Sequence, residues 1–339
     1  MNIQQAIAQV VEREDLNEAQ MQTVMRDIMS GSATEAQIAG FLIALRMKGE
    51  TVAEIAAAAT VMRDFAEQVD IEHEHLVDIV GTGGDGSHTF NISTTAAFVI
   101  AAAGGQVAKH NNRSVSSRSG SADVLELAGV KMGLQPNNVA HCIRETGVGF
   151  MFAPAHHPAM RHAITPRREL ATRSIFNLLG PLTNPARVRR QLVGVYDRQL
   201  TRPIAEVLQR LGSVHALVVC SDDGMDEISI SANTQVAELR DDSIDEYQIK
   251  PAQFGLQAAD KGALVVESAE QSYAVMQSVL NNEPGPCRDA VVLNAGAAIY
   301  VAGIATDIKA GVALAEAALA DGGAGDRLQR LVELSNTLD

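Results

Sequence analysis

The chain has 339 residues, of which 46% are hydrophobic, and a formal net charge of −14 at pH 7. That length and that apolar fraction suffice for one large domain or two ordinary domains with a real core, and they argue against a disordered chain. The acidic balance argues against a nucleic-acid-binding surface, which needs a net basic face to release counterions. A small anionic ligand is still compatible, because basic residues can cluster locally.

The cysteine pattern and the first residues indicate a protein of the reducing cytoplasm. Cys142, Cys220 and Cys287 are scattered and have no CxxC spacing, so neither a disulfide framework nor a zinc site is expected. The segment MNIQQAIAQVVERED lacks the basic start and apolar core of a signal peptide. The most apolar stretch, residues 96–105, is about half the roughly 20 residues that a membrane span requires. We therefore expect a soluble cytoplasmic chain.

Residues 1 to about 70 predict consecutive short helices and no strand. Gly49 stands where one helix should end, and Thr51 with Glu54 forms a capping box that should start the next. In the segment before Gly49, apolar residues recur at helical spacing, which indicates one buried helix face. The pattern predicts a small all-α domain.

From Leu76 onward the pattern alternates between strands and helices. The run LVDIVG predicts a strand, a loop and a helix of small residues follow, and QVAKH predicts the next strand. Similar alternation over roughly 150 residues predicts an α/β fold with a mostly parallel central sheet flanked by helices. TQVAEL and EYQIK could add an antiparallel edge, and the chain is predicted to be helical from Glu267 onward.

The segment from Ile164 to Pro185, ITPRRELATRSIFNLLGPLTNP, predicts a helix closed by Gly180 and Pro181. A shorter helix is predicted before it, over residues 157–163. The charge and the apolar face of the longer segment suggest that it returns to the helical unit. The expected domains are a small helical domain of residues 1–70 plus about 165–190, and a large α/β domain of residues 71–164 and 191–339.

The first of two glycine-rich loops, GTGGDGSHTFNIST, follows the predicted strand LVDIVG and leads into a helix. Free N–H groups at a helix N-terminus, with the positive end of the helix dipole, bind phosphate, and glycines let an anion approach the main chain. Asn91 is the expected N-cap, and Ser93 and Thr94 add hydroxyls. The alternative is a plain glycine turn capped by Asn91.

The second loop, Lys109 to Ser117, combines a lysine, an arginine and three serines. A solvated basic loop would look similar, but ligands bind at the carboxyl ends of strands in α/β sheets, and this loop directly follows a strand. Two such loops, close in sequence, predict a ligand with more than one phosphate group. Lys109, Arg113 and Arg118 would supply positive charge to it.

Asp226 and Glu227 lie in the segment SDDGMDEIS, which follows the predicted strand HALVVC. Adjacent carboxylates can hold hard cations such as Mg²⁺ through oxygen ligands, and Mg²⁺ often bridges substrate phosphates. An ordinary acidic turn is the alternative. The predicted phosphate ligand favours the metal site.

Arg167 and Arg168 are predicted to precede a helix in PRREL, where the helix dipole disfavours cations. The planar fork of arginine fits a carboxylate bidentately, so a bound anion or an acidic neighbour would compensate. For His156 and His157, a structural loop or a pocket rim is favoured over metal binding. No GxSxG elbow, P-loop or well-placed GxGxxG occurs, which disfavours serine hydrolases, P-loop kinases and Rossmann dehydrogenases.

Six separated motifs, in this order, resemble the anthranilate phosphoribosyltransferase family: GTGGDG, NIST, KHNNRSVSS, SGSADVLE, ITPRREL with FNLLGPLTNP, and the DE pair. The similarity spans nearly the whole chain. It implies a homodimer joined through small helical domains, and magnesium-dependent transfer of the phosphoribosyl group of phosphoribosyl pyrophosphate (PRPP) to the amine of anthranilate in tryptophan biosynthesis. Pyrophosphate would leave from the ribose C1. Association with an anthranilate synthase subunit stays open.

The resemblance also implies roles for individual positions. Lys109 would stabilise the leaving group, and no residue is assigned as general acid or base. Three positions would receive anthranilate: Gly81, Asn112 and Arg167. Three would hold magnesium ions: Ser93, Asp226 and Glu227. The positions that would contact PRPP are Gly81, Gly84, Asp85, Thr89, Asn91, Ile92, Ser93, Thr94, Lys109, His110, Asn111, Asn112, Arg113, Ser114, Val115, Ser116, Ser117 and Ser121.

One position departs from the family pattern, because Asn111 stands where the family loop usually has glycine, as in KHGNR. Asparagine tolerates the left-handed backbone region better than most residues do. We therefore expect the same turn at this position.

Two other functions are weighed against the transferase. A nucleoside phosphorylase of the same fold would use phosphate to attack a ribosyl base, but the PRREL segment and the DE pair favour the transferase. A non-catalytic relative that binds nucleic acid would have a basic surface and would have lost site residues. This chain is acidic and keeps them.

Overall fold

The computed structural model describes residues 1–113 and 118–338, and its first part is a bundle of four helices. They are α1 (Ile3–Val11), α2 (Glu18–Met29), α3 (Glu35–Lys48) and α4 (Val52–Asp64). Each begins with a capping box, as the sequence predicted for Thr51 and Glu54 of α4. Glu54 is fully buried and also accepts a hydrogen bond from the N–H of Leu16 (2.9 Å). This bond holds α4 against the turn between α1 and α2.

A seven-stranded sheet forms the centre of the rest of the chain. Its spatial order is β3-β2-β1-β4-β5-β6-β7, with β1 to β5 parallel and with β6 and β7 antiparallel at one edge. The predicted mostly parallel sheet with an antiparallel edge is therefore confirmed. The strands are β1 (Leu76–Gly81), β2 (Gln106–Asn111), β3 (Val148–Phe152), β4 (Arg190–Gly194), β5 (His215–Ser221), β6 (Thr234–Arg240) and β7 (Ser243–Ile249).

Helices cover the sheet on both faces. One apolar core lies between the sheet and α5, α13 and their neighbours, and a second core continues from the other face into the helical bundle. No helix in the described ranges is long and apolar enough to cross a membrane. The helices after the bundle are α5 (Ile92–Ala102), α6 (Ser121–Leu127), α7 (Pro136–Thr146), α8 (Ala153–His156), α9 (Arg161–Leu170), α10 (Ile175–Leu182), α11 (Thr201–Arg210), α12 (Ala269–Leu280), α13 (Pro286–Val301), α14 (Ile308–Ala320) and α15 (Gly323–Ser335).

Two of these later helices pack on the N-terminal bundle. α9 contacts α3 and α2, and α10 contacts α4 and α3. Apolar residues of both helices, such as Ala163, Phe176 and Leu179, lie in the same core as the bundle. This packing agrees with a discontinuous helical unit, which we call the helical unit below (α1–α4, α9 and α10). The exact division of the chain into two domains stays a prediction.

The single helix predicted over residues 164–185 is wrong in its details. Ala171 adopts a φ of 45° and ends α9, and α10 begins only after its N-cap, Ser174. Likewise, the helix predicted over residues 157–163 is instead a short 3-10 turn (Pro158–Met160) followed by the start of α9. Pro166 explains part of the error. Proline is typical of a first helical turn, but here it lies inside α9.

Helices α13 and α14 touch through two glycines. A Cβ atom at Gly311 would lie 2.0 Å from the carbonyl oxygen of Gly296, and a Cβ atom at Gly296 would lie 2.6 Å from the backbone nitrogen of Val312. These separations are far shorter than carbon makes with oxygen or nitrogen in van der Waals contact. Only glycine lets the two backbones approach so closely.

Gly311→Ala should therefore lower the free energy of unfolding by about 1–3 kcal/mol, because the added methyl group overpacks this contact. Gly40→Ala, in α3, is the matched control, since its Cβ atom would meet only Ile7 Cδ1, at 3.9 Å. That change should stabilise the protein by about 0.5–1 kcal/mol. Chemical denaturation measures both. Equal stability of Gly311→Ala and wild type would contradict the close contact.

Candidate active site

The segments predicted to carry the site meet at the carboxyl edge of the sheet. The first glycine-rich loop leaves β1 and the second leaves β2, its neighbour in the sheet. The acidic segment with Asp226 and Glu227 follows β5, which lies two strands from β1 on the other side. Ligands of parallel α/β sheets bind at this edge. The topology thus brings the three segments together.

The first loop folds its main chain directly over the carboxylate of Asp226. Gly83, Gly84 and Gly86 adopt φ values of 68°, 74° and 70°, in the left-handed region that favours glycine. The N–H of Gly83 donates a hydrogen bond to Asp226 Oδ2 (2.7 Å). A Cβ atom at Gly81 would lie 2.3 Å from the same oxygen. Glycine at these positions is what allows the carboxylate to approach the loop.

Asn91 takes the N-cap position of α5, but its side chain makes no capping bond, so its predicted capping role is wrong. Its side-chain oxygen accepts hydrogen bonds from Ser119 Oγ (2.7 Å) and Ser272 Oγ (2.7 Å) instead. These bonds tie the start of α5 to the segment after the second loop and to α12. Nearby, Thr94 Oγ1 donates to Ser121 Oγ (2.8 Å), which joins α5 to α6. The N-terminal turn of α5 is thus tied to α12 and to the start of α6.

The other predicted contacts of the first loop have varied surroundings. Ile92 is buried in the main core beneath the loop. Thr89 forms an isolated antiparallel bridge with Val265, which holds the loop against the segment before α12. Asp85 accepts from the N–H of Ser87 (3.1 Å). A direct role of these residues in binding stays a prediction.

Lys109 is almost completely buried at the end of β2. Its Nζ atom donates to the carbonyl oxygen of Ile79 (2.7 Å) and to Ser93 Oγ (3.2 Å). Burial lowers the pKa of Lys109, while the negative charges of Asp78 and Glu227 raise it. The ammonium group is therefore held in the site before any ligand binds.

His110 lies next to Lys109, but its ring faces a different neighbour. The ring centre is 4.9 Å from that of His157, and both rings are buried. Burial lowers the pKa of His110 well below its usual value and that of His157 to about 4, so both are neutral at pH 7. His156 Nδ1 bonds to the carbonyl oxygen of Glu67 (3.0 Å). This agrees with the predicted structural role for His156 and His157, whereas the predicted PRPP contact of His110 stays untested.

Asn111 does not form the left-handed turn that was expected of it. It is the last residue of β2 and pairs with Phe152 of β3, and its φ is not positive. Its side-chain oxygen accepts from the N–H of Asn112 (2.8 Å). The expectation was wrong because the β2–β3 ladder extends through this position. An asparagine here therefore costs no backbone strain.

Asn112 and Arg113 begin the second loop. Asn112 Oδ1 accepts from the N–H of Arg113 (2.7 Å), and the Arg113 guanidinium pairs with Glu126 (2.6 Å) and Asp123 (3.3 Å). The next four predicted PRPP contacts lie outside the described residues: Ser114, Val115, Ser116 and Ser117. Arg113 is thus engaged with α6, and its role in binding stays a prediction.

Asp226 and Glu227 are partly buried and lie next to a third carboxylate. The N–H of Asp226 donates to Asp85 Oδ2 (3.4 Å). Burial raises the pKa of Asp226 to about 7 and that of Glu227 to about 8, and repulsion from neighbouring carboxylates adds to the effect. Lys109 opposes the rise at Glu227. Near pH 7 these two carboxyl groups therefore tend to hold protons, which a bound cation would displace.

The donors at this place fit a magnesium ion in chemistry and in charge. Within residues 1–113 and 118–338, no three His, Cys, Asp or Glu side chains form a ready metal-binding group. However, Asp226, Glu227 and the Ser93 hydroxyl are oxygen donors, which Mg²⁺ prefers, and Mg²⁺ usually keeps waters and takes substrate phosphate oxygens as further ligands. A divalent cation would also offset the repulsion that raises the two pKa values.

Arg167 lies in the last turn of α9, so its predicted position at a helix start is wrong. The helix dipole favours a cation there. The guanidinium lies 5.2 Å from the centre of the Phe176 ring. Burial alone lowers the pKa of Arg167, and no carboxylate within the described ranges opposes it. The guanidinium fork is therefore available to an anionic ligand, whereas its neighbour Arg168 is exposed.

Three further residues, which sequence reasoning missed, frame the site. Asn184 Nδ2 donates to Asp78 Oδ2 (2.7 Å), a residue 106 positions earlier in the chain. Ser272 of α12 holds Asn91, as described above. Arg173 donates to the carbonyl oxygen of Gly84, and its guanidinium lies 3.9 Å from the centre of the Tyr196 ring. The motif LTNP, which contains Asn184, could have indicated that residue. Ser272 is an isolated serine in a helix, so its sequence context gave no indication of its role.

Comparison with protein families finds two matching models. The helical bundle domain of the glycosyl transferase family matches residues 4–66, and the a/b domain of the same family matches residues 73–325. Together they cover the bundle and most of the sheet domain.

Individual relatives agree with the family models. The anthranilate phosphoribosyltransferase of Teredinibacter turnerae is 55% identical over 99% of this chain and 100% of the relative. The crystal structure of the Thermus thermophilus enzyme is 43% identical over 98% of this chain and 99% of that chain, with a TM-score of 0.93. The Saccharomyces cerevisiae enzyme in complex with PRPP and Mg shares the fold at 24% identity, over 99% and 98% of the two chains, with a TM-score of 0.91. The chain therefore belongs to the glycosyl transferase family and, within it, to the anthranilate phosphoribosyltransferases.

Proposed function

We propose that the protein transfers the phosphoribosyl group of PRPP to the amine of anthranilate, in tryptophan biosynthesis. The products are N-(5-phosphoribosyl)anthranilate and pyrophosphate. One observation carries the proposal: a buried ammonium group, a partly buried carboxylate pair and a left-handed glycine loop converge at the carboxyl edge of one sheet. The family membership supports it over the full length of the chain.

Lys109 is proposed to stabilise the leaving group. Breaking the bond between ribose C1 and pyrophosphate leaves positive charge on the ribose and negative charge on the departing oxygens. The protein must therefore supply cations and N–H groups where pyrophosphate departs. Lys109 is already fixed by Ile79 and Ser93, so little reorganisation is needed during the reaction. Aligning the two substrates supplies much of the remaining acceleration, and no general base is assigned.

Ser93, Asp226 and Glu227 are proposed to hold magnesium. Two features of the structure support this. The two partly buried carboxylates repel each other, and the N–H of Gly83 donates to Asp226 but could instead donate to a PRPP oxygen. The complex of the yeast relative with PRPP and Mg is a further support. When bound, Mg²⁺ would neutralise charge on the pyrophosphate.

The acceptor, anthranilate, is proposed to bind through Arg167, with Asn112 and Gly81 beside it. Arg167 is partly buried and has no carboxylate partner in the described part of the chain, which suits the carboxylate of anthranilate. Asn112 and Gly81 lie at the starts of the two loops, next to the PRPP end of the site. The remaining PRPP contacts implied by the resemblance are retained in the proposal.

A direct test follows the fluorescence of anthranilate with purified protein, PRPP and Mg²⁺. The proposal predicts a loss of fluorescence only when all components are present, as the amine becomes ribosylated. Single omissions of PRPP, Mg²⁺ and protein are the controls. A second assay with pyrimidine nucleosides and inorganic phosphate tests the phosphorylase alternative. Persistent anthranilate fluorescence together with phosphate-dependent cleavage would replace the proposal with that alternative.

Arg167→Ala should raise the apparent KM for anthranilate about 10- to 100-fold, because a charged hydrogen-bonding partner is lost. The KM for PRPP should change less than about threefold. Arg210→Ala, an exposed arginine at the end of α11, is the control and should leave both constants unchanged. Steady-state kinetics measure these values. An equal rise in both KM values would count against the assignment of Arg167.

The double variant Asp226→Asn, Glu227→Gln should lower magnesium-dependent turnover by at least about 100-fold, because it removes both charged metal ligands but keeps their shape. Its thermal stability should not fall, since neutralising partly buried carboxylates that repel each other relieves a cost of folding. Kinetics at varied Mg²⁺ and thermal unfolding measure the two effects. Turnover equal to wild type would refute the metal role.

We also propose that the protein is a homodimer joined through its helical unit. Val11 of α1 is 60% exposed and Met47 of α3 is 72% exposed, and these two helices pack side by side. A contiguous apolar patch is typical of a surface that another protein covers, and we propose that these two side chains belong to one such patch. A second copy, seated on the same face, would bury both.

Met47→Glu should convert the dimer to a monomer, because the interface would then bury an unpaired charge. Leu314→Glu on α14, which is 38% exposed, is the matched control and should leave the mass unchanged. Light scattering coupled to size-exclusion chromatography gives the mass of each. A wild-type monomer, or a Met47→Glu dimer, would exclude this interface.

A further inference from the structure

The pairing between β1 and β2 stops before either strand ends. Its last described pair is Val77 with Val107. Beyond that pair, β1 stays bonded to β4 as far as Gly81, and β2 stays bonded to β3 as far as Asn111. The ladder of main-chain hydrogen bonds between β1 and β2 is therefore open toward the edge where the site lies. We call this opening the β1–β2 gap.

Side chains take the main-chain acceptors that the gap leaves free. In a continuous parallel ladder, the carbonyl groups of both strands accept from N–H groups of the opposite strand. Here the carbonyl oxygen of Ala108 on β2 accepts from Asn184 Nδ2 (2.8 Å). The carbonyl oxygen of Ile79 on β1 accepts from Lys109 Nζ (2.7 Å). The position of the Lys109 ammonium thus depends on the ladder being open.

Asn184 is fixed in the gap on several sides. It is fully buried, and its Nδ2 group also donates to Asp78 Oδ2 (2.7 Å). Its Oδ1 atom accepts from the N–H of Ala186 (2.9 Å). Asp78 is buried too, and burial raises its pKa to about 6 against the opposing effects of Lys109 and Asn184. An amide with all these partners cannot rotate away without leaving buried groups unpaired.

We infer that Asn184 is a positioning residue for Lys109. It keeps β1 and β2 apart, so that the carbonyl group of Ile79 accepts from the Lys109 ammonium and not from the main chain of β2. Asn184 lies two residues beyond the end of α10. The inference rests on the proposed function in one respect, namely that Lys109 stabilises the leaving group.

Kinetics of Asn184→Ala test the inference. The kcat should fall about 10- to 100-fold, as expected when a catalytic group is displaced by about 1 Å, and the KM for anthranilate should change less than about threefold. In a Lys109→Met background, Asn184→Ala should lower kcat by less than about twofold further, because both changes remove the same effect. If the losses in kcat from the two substitutions multiply, the role of Asn184 is merely structural, and the inference is overturned.

Gln191→Met is the matched control. Gln191 is a buried amide on β4 that donates to the carbonyl oxygen of Pro181 (2.9 Å), so it anchors the same segment without entering the gap. It should lower the Tm, as Asn184→Ala also should, but leave kcat within about twofold of wild type. A loss of kcat equal to that of Asn184→Ala would mean that general loosening is the cause, and would overturn the inference.

A crystal structure of Asn184→Ala gives a test that needs no activity. The distance between Lys109 Nζ and the Ile79 carbonyl oxygen should lengthen from 2.7 Å to beyond about 3.5 Å, where no hydrogen bond remains. An unchanged distance would overturn the inference. Because this result stands even if the wild type shows no transfer activity, it separates failure of the inference from failure of the proposed function. If Asn184→Ala does not fold, Asn184→Ser replaces it with the same expectations.

Discussion

The sheet gives up main-chain hydrogen bonds between β1 and β2 at the edge where its ligands bind, and buried polar side chains replace them. Unpaired buried acceptors would be costly, so the fold needs Asn184 on one side of the gap and Lys109 on the other. Lys109 is therefore held by the architecture of the sheet and not by a ligand. The helical unit contributes to this arrangement, because Asn184 lies two residues after its last helix, α10.

Charge is the second constraint, and it divides the site into two ends. At one end, Asp85, Asp226 and Glu227 lie close together with one lysine to balance them, so burial and repulsion raise the pKa values of the last two. That end needs a cation. The proposed acceptor end is Arg167, which has no carboxylate partner among the described residues and would suit an anion. A magnesium-bound polyphosphate and an aromatic carboxylate meet these two needs, which is why the transferase suits the geometry.

Much of the fold and of the candidate site could be predicted from local sequence. Strand and helix periodicity gave the mostly parallel sheet, and glycines with free hydroxyls marked the loops, because these signals depend on near neighbours in the chain. The errors concern residues whose partners are remote. Asn91 bonds Ser119 and Ser272 in place of its own helix, and Asn111 continues a strand because β3 pairs with it. The role of Asn184 could not be predicted, since its hydrogen-bond partner Asp78 lies 106 positions away in the sequence.

The central claim is that the PRPP end of the site is built for a ligand that arrives with a divalent cation. Isothermal titration calorimetry of PRPP into the wild-type protein, once with Mg²⁺ and once with a chelator, measures this most directly. The account predicts that Mg²⁺ tightens PRPP binding at least about tenfold, because it offsets charges of the same sign on ligand and protein. Equal affinity under the two conditions would contradict the account.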